Sequence, residues 1–231
     1  MKLTKAIKLY LVLLSVFLTF LLMAELTGAK LIQFKLLSWQ WTLTLGVIPF
    51  PVTFVITDIL NEFYGKRIAR FTTYIGMTMV FFAYLLILVD LEIPAIPDSP
   101  VGDAAFAQVF FNSKWIIIGS IIAYLIGQII DIYVFNFLRK QFSGKYIWLR
   151  ATGSTIISQL IDSYIVIYIA FGIGQGMALD KIMDISNSNF TYKMLVAIAS
   201  TAFIYLGHWF IRMYLGEKEA EELQKVAAEE E

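Results

Sequence analysis

The sequence predicts an all-α integral membrane protein with six transmembrane helices. Hydrophobic residues make up 59% of its 231 residues and its mean hydropathy is +0.73, both above the range of soluble proteins. Charged residues make up only 16% and cluster between long apolar runs. Six segments approach the roughly 20 apolar residues that a spanning helix needs. They cover residues 9–29, 41–60, 71–89, 115–138, 152–179 and 194–215.

The six spans predict a protein that crosses the cell's inner (cytoplasmic) membrane repeatedly. The distribution of basic residues predicts that both termini lie in the cytoplasm. With the N-terminus inside, 13 of the 18 Lys and Arg residues fall on the cytoplasmic side and five on the other. Residues 1–215 then form the transmembrane domain. Residues 216–231 form an acidic cytoplasmic tail, expected to be a solvated helix or a disordered end.

The second predicted span contains the sequence IPFP, in which Pro49 and Pro51 each lack a backbone donor. A break near Phe50 is therefore expected, although a simple kink is equally open. Broken helices recur at transport sites, because their freed backbone groups need a polar cavity or neighbouring helices.

Four polar residues lie near the predicted midplane of the fourth and fifth spans. Gln128 and Asp131 belong to GQIIDIY, and Gln159 and Asp162 belong to SQLIDSY. The two helices run in opposite directions, so the match suggests inverted pseudo-symmetry around one site. Carboxylates at this depth favour a function, whereas the amides are as readily explained by hydrogen bonds between helices.

In each helix the Gln and the Asp are three residues apart and share a face. A carboxylate accepts two hydrogen bonds from adjacent ring and amino N–H groups, and an amide serves a carbonyl or ring nitrogen. The pairs therefore suit a planar heterocycle. The 19 Phe, 12 Tyr and 5 Trp could add a stacking surface, although most are expected to face lipid or other helices.

Other classes of function lack support in the sequence. The chain has no cysteine and one histidine, which argues against disulfides, thiol chemistry and a zinc site. No phosphate loop, zinc-protease motif or serine elbow is present, so no enzyme, cofactor or ATPase activity of this chain is predicted. Direct nucleic-acid binding is not indicated either, and a homo-oligomer stays open. Glu25 is expected to be wetted at the outer interface, and His208 to be interfacial or packed.

The stretch FPVTFVITDILNEFYGKRIAR, residues 50–70, resembles the hallmark of the queuosine precursor transporters, which are grouped with vitamin-uptake transporters. Residues 123–140, residues 145–171 and the Lys193 region resemble the same family in the same order. One departure is TAFIY at 201–205, where the family has a proline. From the residues alone, Asp58, Asn61 and Glu62 would be a solvated cluster at a helix end.

The resemblance implies a six-helix carrier of 7-deazaguanine bases, preQ0 (7-cyano) and preQ1 (7-aminomethyl), used in queuosine synthesis for tRNA. It makes candidates of Asp58, Asn61, Glu62 and Arg150. Asp131 or Asp162 would then read the base edge, and Asp58 and Glu62 would line the cytoplasmic exit. Alternatives are a carrier of queuine or another purine-like base, the capture subunit of an energy-coupling-factor vitamin importer, or a membrane scaffold or enzyme subunit.

Overall fold

A computed structural model describes residues 4–36, 39–141 and 147–229. Most of them are helical, which confirms that part of the predicted fold class. A π-helix over Tyr168–Ile173 extends the fourth helix. The helices are α1 (Lys5–Thr27), α2 (Phe50–Asp90), α3 (Asp103–Gln141), α4 (Ile147–Ile167), α5 (Leu179–Leu215) and α6 (Glu217–Glu229).

A β-hairpin joins α1 to α2, so the all-α prediction is wrong in this segment. Strand β1 (Leu31–Leu36) pairs antiparallel with β2 (Trp39–Thr44). Phe34 stands opposite Trp41, and their rings stack with centroids 6.0 Å apart. Apolar and polar residues alternate in WQWTLT, as is typical of a strand with one buried face. The predicted second span therefore starts too early at residue 41.

The two prolines begin α2 and do not break it. A short 3₁₀-helix (Leu45–Val47) follows β2, Pro49 is the N-cap of α2, and Pro51 lies in its first turn. A proline fits there because the first-turn N–H groups have no partner within a helix and φ is already helical. The break expected near Phe50 is thus the start of a helix.

Gly65 divides α2 into two arms that run in opposite directions. Its φ of 81° and ψ of 165° are not helical, and a positive φ favours glycine. The first arm is antiparallel to α1. At the end of the arm, the Tyr64 hydroxyl donates to the Ala6 carbonyl near the start of α1 at 2.7 Å. Before the arm, Gly46 contacts Ala24 near the end of α1.

The second arm of α2 runs in the same direction as α1. Tyr10 and Thr72 share a hydrogen bond of 3.2 Å. Further along both helices, Gly76 lies against Phe17 and Leu21. The arms and α1 form an apolar core in which Phe17 is 4% exposed. The chain therefore reverses at Gly65, inside the interval 61–70 that separates the second and third predicted spans.

Four helical segments of the described chain are long and apolar enough to cross a membrane. The 46-residue segment is the one that Gly65 divides. The protein is accordingly a multi-pass membrane protein. The four segments are Lys5–Thr27, Leu45–Asp90, Asp103–Gly127 and Ile156–Ile173.

Two helices begin well before the predicted spans. Helix α3 begins at Asp103 instead of residue 115, and α5 begins at Leu179 instead of residue 194. Their first turns carry Asp103 and Asp180, and negative charge is favourable at a helix N-terminus. Hydropathy excludes such polar turns from a span although they remain helical.

Helices α3 and α4 pack antiparallel, as is expected of consecutive spans. A Cβ on Gly119 would lie 3.2 Å from the Val166 Cα, so the two backbones approach closely there. Nearer the start of α3, Trp115 contacts Gly174, which follows the π-helix. At their other ends, Gly127 of α3 and residues of α4 line a common cavity.

Helix α6 packs against α2 at Gly65, where the chain reverses direction. Ala220 and Ala227 are buried, and Ala227 lies against Gly65. Gln224 donates to Glu62 at 3.0 Å and accepts from Arg212 at 3.3 Å. The described part of the acidic tail is thus a helix that packs against α2. The sequence alone predicts either a solvated helix or a disordered end.

Candidate functional site

A cavity of about 440 Å³ lies among α1, the end of β2, both arms of α2, and α3, α4 and α5. This volume is within the range of small-molecule sites. Apolar and aromatic side chains form much of its wall, including Phe17, Phe50 and Tyr124. A few polar side chains interrupt that wall, and their arrangement defines what the cavity can bind.

An ion pair joins two walls of the cavity. Lys193 Nζ on α5 lies 2.7 Å from Asp162 Oδ2 on α4, with side-chain exposures of 9% and 26%. The same ammonium lies 5.1 Å from the centre of the Phe50 ring, within the range of a cation–π contact. Buried ion pairs contribute little net stability, but losing one partner leaves an expensive unpaired charge.

Asn189 fixes the wall beside this pair. It is 2% exposed, and its Oδ1 accepts from the Thr44 hydroxyl at 2.9 Å and the Thr44 N–H at 3.3 Å. Its Nδ2 donates to the Ile185 carbonyl at 2.7 Å. Asn189 is one turn before Lys193 on the same face of α5. It therefore connects the end of β2 to the helix that carries the ammonium.

Glu25 of α1 is buried at the cavity with an exposure of only 5%. Ser120 hydrogen-bonds to its carboxyl group, and Asp162 and Lys193 are close enough to interact with it electrostatically. Its Oε2 has no hydrogen-bond partner among the described residues. The expectation that Glu25 is wetted at an interface is wrong, because α1 packs it against α3.

Gln159 supplies a second unpaired acceptor. It lines the cavity, and its buried Oε1 has no partner in the described part of the chain. Leaving a buried polar atom unpaired costs about 1–3 kcal/mol. A ligand that donates N–H groups would satisfy both this oxygen and that of Glu25.

Two of the sequence-predicted site residues, Gln159 and Asp162, meet at the cavity. The side chains of Gln128, Asp131 and Arg150 lie outside the described residues. Asp58, Asn61 and Glu62 are exposed on α2 and do not line the cavity. Sequence reasoning missed Glu25, Asn189 and Lys193 as members of the site. The available signals were a lone acid in the apolar run of α1 and the four-residue spacing of Asn189 and Lys193.

Glu62 belongs to a separate polar cluster near the N-terminal end of α1. His208 Nε2 lies 2.6 Å from Glu62 Oε2, without the alignment of a hydrogen bond. The His208 ring also packs edge-on against Phe63, with centroids 5.0 Å apart. Through Glu62 this cluster connects α2, α5 and α6.

These observations define a class of protein. A largely apolar cavity with a few converging polar groups, enclosed by helices long enough to span a membrane, is the arrangement of a small-solute membrane transporter.

Comparison with known proteins gives the family. The model of the family described as "putative vitamin uptake transporter" matches residues 44–207, and the chain belongs to that family. It is 33% identical over 167 residues to a "probable queuosine precursor transporter" of Bacillus subtilis (strain 168), covering 71% of each chain. It is 28% identical over 160 residues to a "queuosine precursor transporter" of Escherichia coli (strain K12), covering 67% of each. No solved structure matches the chain.

Proposed function

We propose that this protein imports queuosine precursors, the 7-deazaguanine bases preQ0 and preQ1, across the cytoplasmic membrane. The observation that carries the proposal is the cavity, which places the Asp162–Lys193 pair beside two unpaired acceptor oxygens. The relatives named as queuosine precursor transporters supply the substrate class. A bicyclic base is of a size that a cavity of about 440 Å³ can accept.

The chemistry of the base matches these groups. A deazaguanine presents a ring N–H and an exocyclic amine side by side, and one carboxylate accepts both. Asp162 performs this role once Lys193 releases it, and the ammonium then donates to the ring carbonyl. Gln159 accepts from a remaining N–H group. Phe50, beside Lys193, provides a stacking surface.

The proposed carrier has six spans with both termini in the cytoplasm, as the distribution of basic residues indicates. In this topology the N-terminal end of α1 faces the cytoplasm. The reversal at Gly65 and the Glu62 cluster lie at that end, since Tyr64 contacts Ala6. Asp58, Asn61 and Glu62 would line the exit there, and Arg150 stays a candidate through the family resemblance alone. Gln128 and Asp131 stay candidates for base contacts from the sequence, and their side chains lie outside the described residues.

Expression in cells unable to make the deazaguanine precursor tests this function. With preQ0 or preQ1 supplied outside, we expect queuosine to appear in tRNA when the wild-type chain is made. We expect at least about tenfold less queuosine with Asp162→Asn, since a lost hydrogen bond to a charged group costs about 1.5–3 kcal/mol. Asp98→Asn, in an exposed loop, is the control and should behave as wild type. Well-inserted wild-type protein that yields no queuosine would refute the proposed substrate.

A further inference from the structure

Glu25 is the acidic residue of the cavity that forms no ion pair with a described side chain. We infer that it binds a positively charged substituent of the substrate and thereby selects cationic over neutral bases. The inference rests on the proposed function, because it concerns the site where the base would bind. The family match begins at residue 44, after α1, so it assigns no role to Glu25.

The position of Glu25 requires a partner. Its side chain is 95% buried, and Ser120 is its one hydrogen-bond partner among the described residues. The second carboxyl oxygen, Oε2, is buried and unpaired. A carboxylate in such surroundings is strongly unfavourable unless a donor completes its hydrogen bonds. Because Glu25 lines the cavity, a donor group of a bound ligand would complete the hydrogen bonds of its carboxyl group.

The local charge shows what kind of donor fits. The described charged residues that line the cavity are Glu25, Asp162 and Lys193. Lys193 lies 2.7 Å from Asp162 and can offset only one of the two carboxylates, so an ionised Glu25 would leave one negative charge without a counter-charge. An ammonium would neutralise it and make a stronger hydrogen bond than a neutral donor. The site is thus complementary to a cationic arm.

The two candidate bases differ in this property. They share the deazaguanine ring, but preQ1 carries an aminomethyl group that is an ammonium at neutral pH, whereas preQ0 carries an uncharged nitrile. The ammonium can donate to Glu25 Oε2. The nitrile has no proton to donate and would leave that oxygen unpaired. Glu25 therefore favours preQ1, while Asp162 and Gln159 contact the ring that both bases share.

Initial uptake rates of both bases by cells that make wild-type or Glu25→Gln protein test the inference. Glutamine keeps the size of the side chain and removes its charge. We expect the preQ1 to preQ0 rate ratio at subsaturating concentration to fall about tenfold or more, because a hydrogen bond to a charged group is lost for one base alone. Uptake of preQ0 should be unchanged or faster. Glu92→Gln, at an exposed position outside the helices, should leave the ratio unchanged.

Two results would overturn the inference: an unchanged ratio, or an equal loss for both bases, which would give Glu25 a role in ion coupling or folding. Competition in the wild-type protein keeps the test open if Glu25→Gln does not insert. Unlabelled preQ1 should then inhibit preQ0 uptake at lower concentration than unlabelled preQ0 does, and equal inhibition would also overturn it. A wild-type chain that takes up neither base would instead refute the proposed function.

Discussion

Replacing Lys193 by methionine is expected to abolish uptake and to destabilise the protein. Methionine keeps the length of the side chain but removes the ammonium 2.7 Å from Asp162. Asp162 and Glu25 would then be two carboxylates at one cavity without a counter-charge. Breaking a buried pair from one side costs about 3–5 kcal/mol. For this pair we expect the free energy of unfolding to fall by about 2 kcal/mol, because Asp162 is 26% exposed and solvent screens its charge.

Thermal unfolding in detergent and uptake of preQ0 in cells measure the two effects. Lys181→Met, at an exposed position on the same helix, is the matched control. The double variant Lys193→Met with Asp162→Asn should regain most of the lost stability, since both charges are gone, but should not regain uptake. If the two single substitutions destabilise additively in the double variant, the ion pair does not couple these helices.

Gly46→Ala is expected to be the most disruptive small substitution at the cavity wall. A Cβ at this position would lie 2.4 Å from the Ala24 carbonyl oxygen and 3.1 Å from the Gly28 Cα. Both neighbours are backbone atoms, so α1 would have to move away from the chain that leads into α2. Overpacking of this kind costs about 1–3 kcal/mol. Because Ala24 precedes Glu25, the displacement should also reduce uptake.

The melting temperature in detergent and the amount of inserted protein check this prediction. Gly102→Ala is the matched control, because nothing lies within 4 Å of a Cβ at that position. We expect the control to melt with the wild type and Gly46→Ala to melt clearly below it. Equal melting temperatures for all three proteins would contradict the packing of α1 against Gly46.

Hydropathy predicts the apolar centres of the described helices but not their polar ends. Helices α3 and α5 begin at Asp103 and Leu179, in turns that a span-length window excludes. It also merged the apolar strand WQWTLT with the following helix. Only the alternation of apolar and polar residues indicates a strand there. It covers six residues, too few to outweigh the long apolar run that follows.

The site was predictable where depth within a span was decisive. Gln159 and Asp162 were identified because polar residues in the middle of a span are costly. Hydropathy assigns Lys193 to the external side, because the last predicted span begins one residue after it. Glu25 was placed at an interface by its distance from the end of α1, whereas burial there depends on contacts with α3 that one sequence does not reveal.

Equilibrium binding of preQ1 to the purified protein in lipid nanodiscs tests most directly the claim that this cavity binds a queuosine precursor. The wild-type chain should bind saturably, and Asp162→Asn should bind at least about tenfold more weakly. Asp184→Asn, at an exposed position of α5, should bind as the wild type does. Equal affinity of Asp162→Asn and the wild type would contradict the account, because the base would then bind elsewhere.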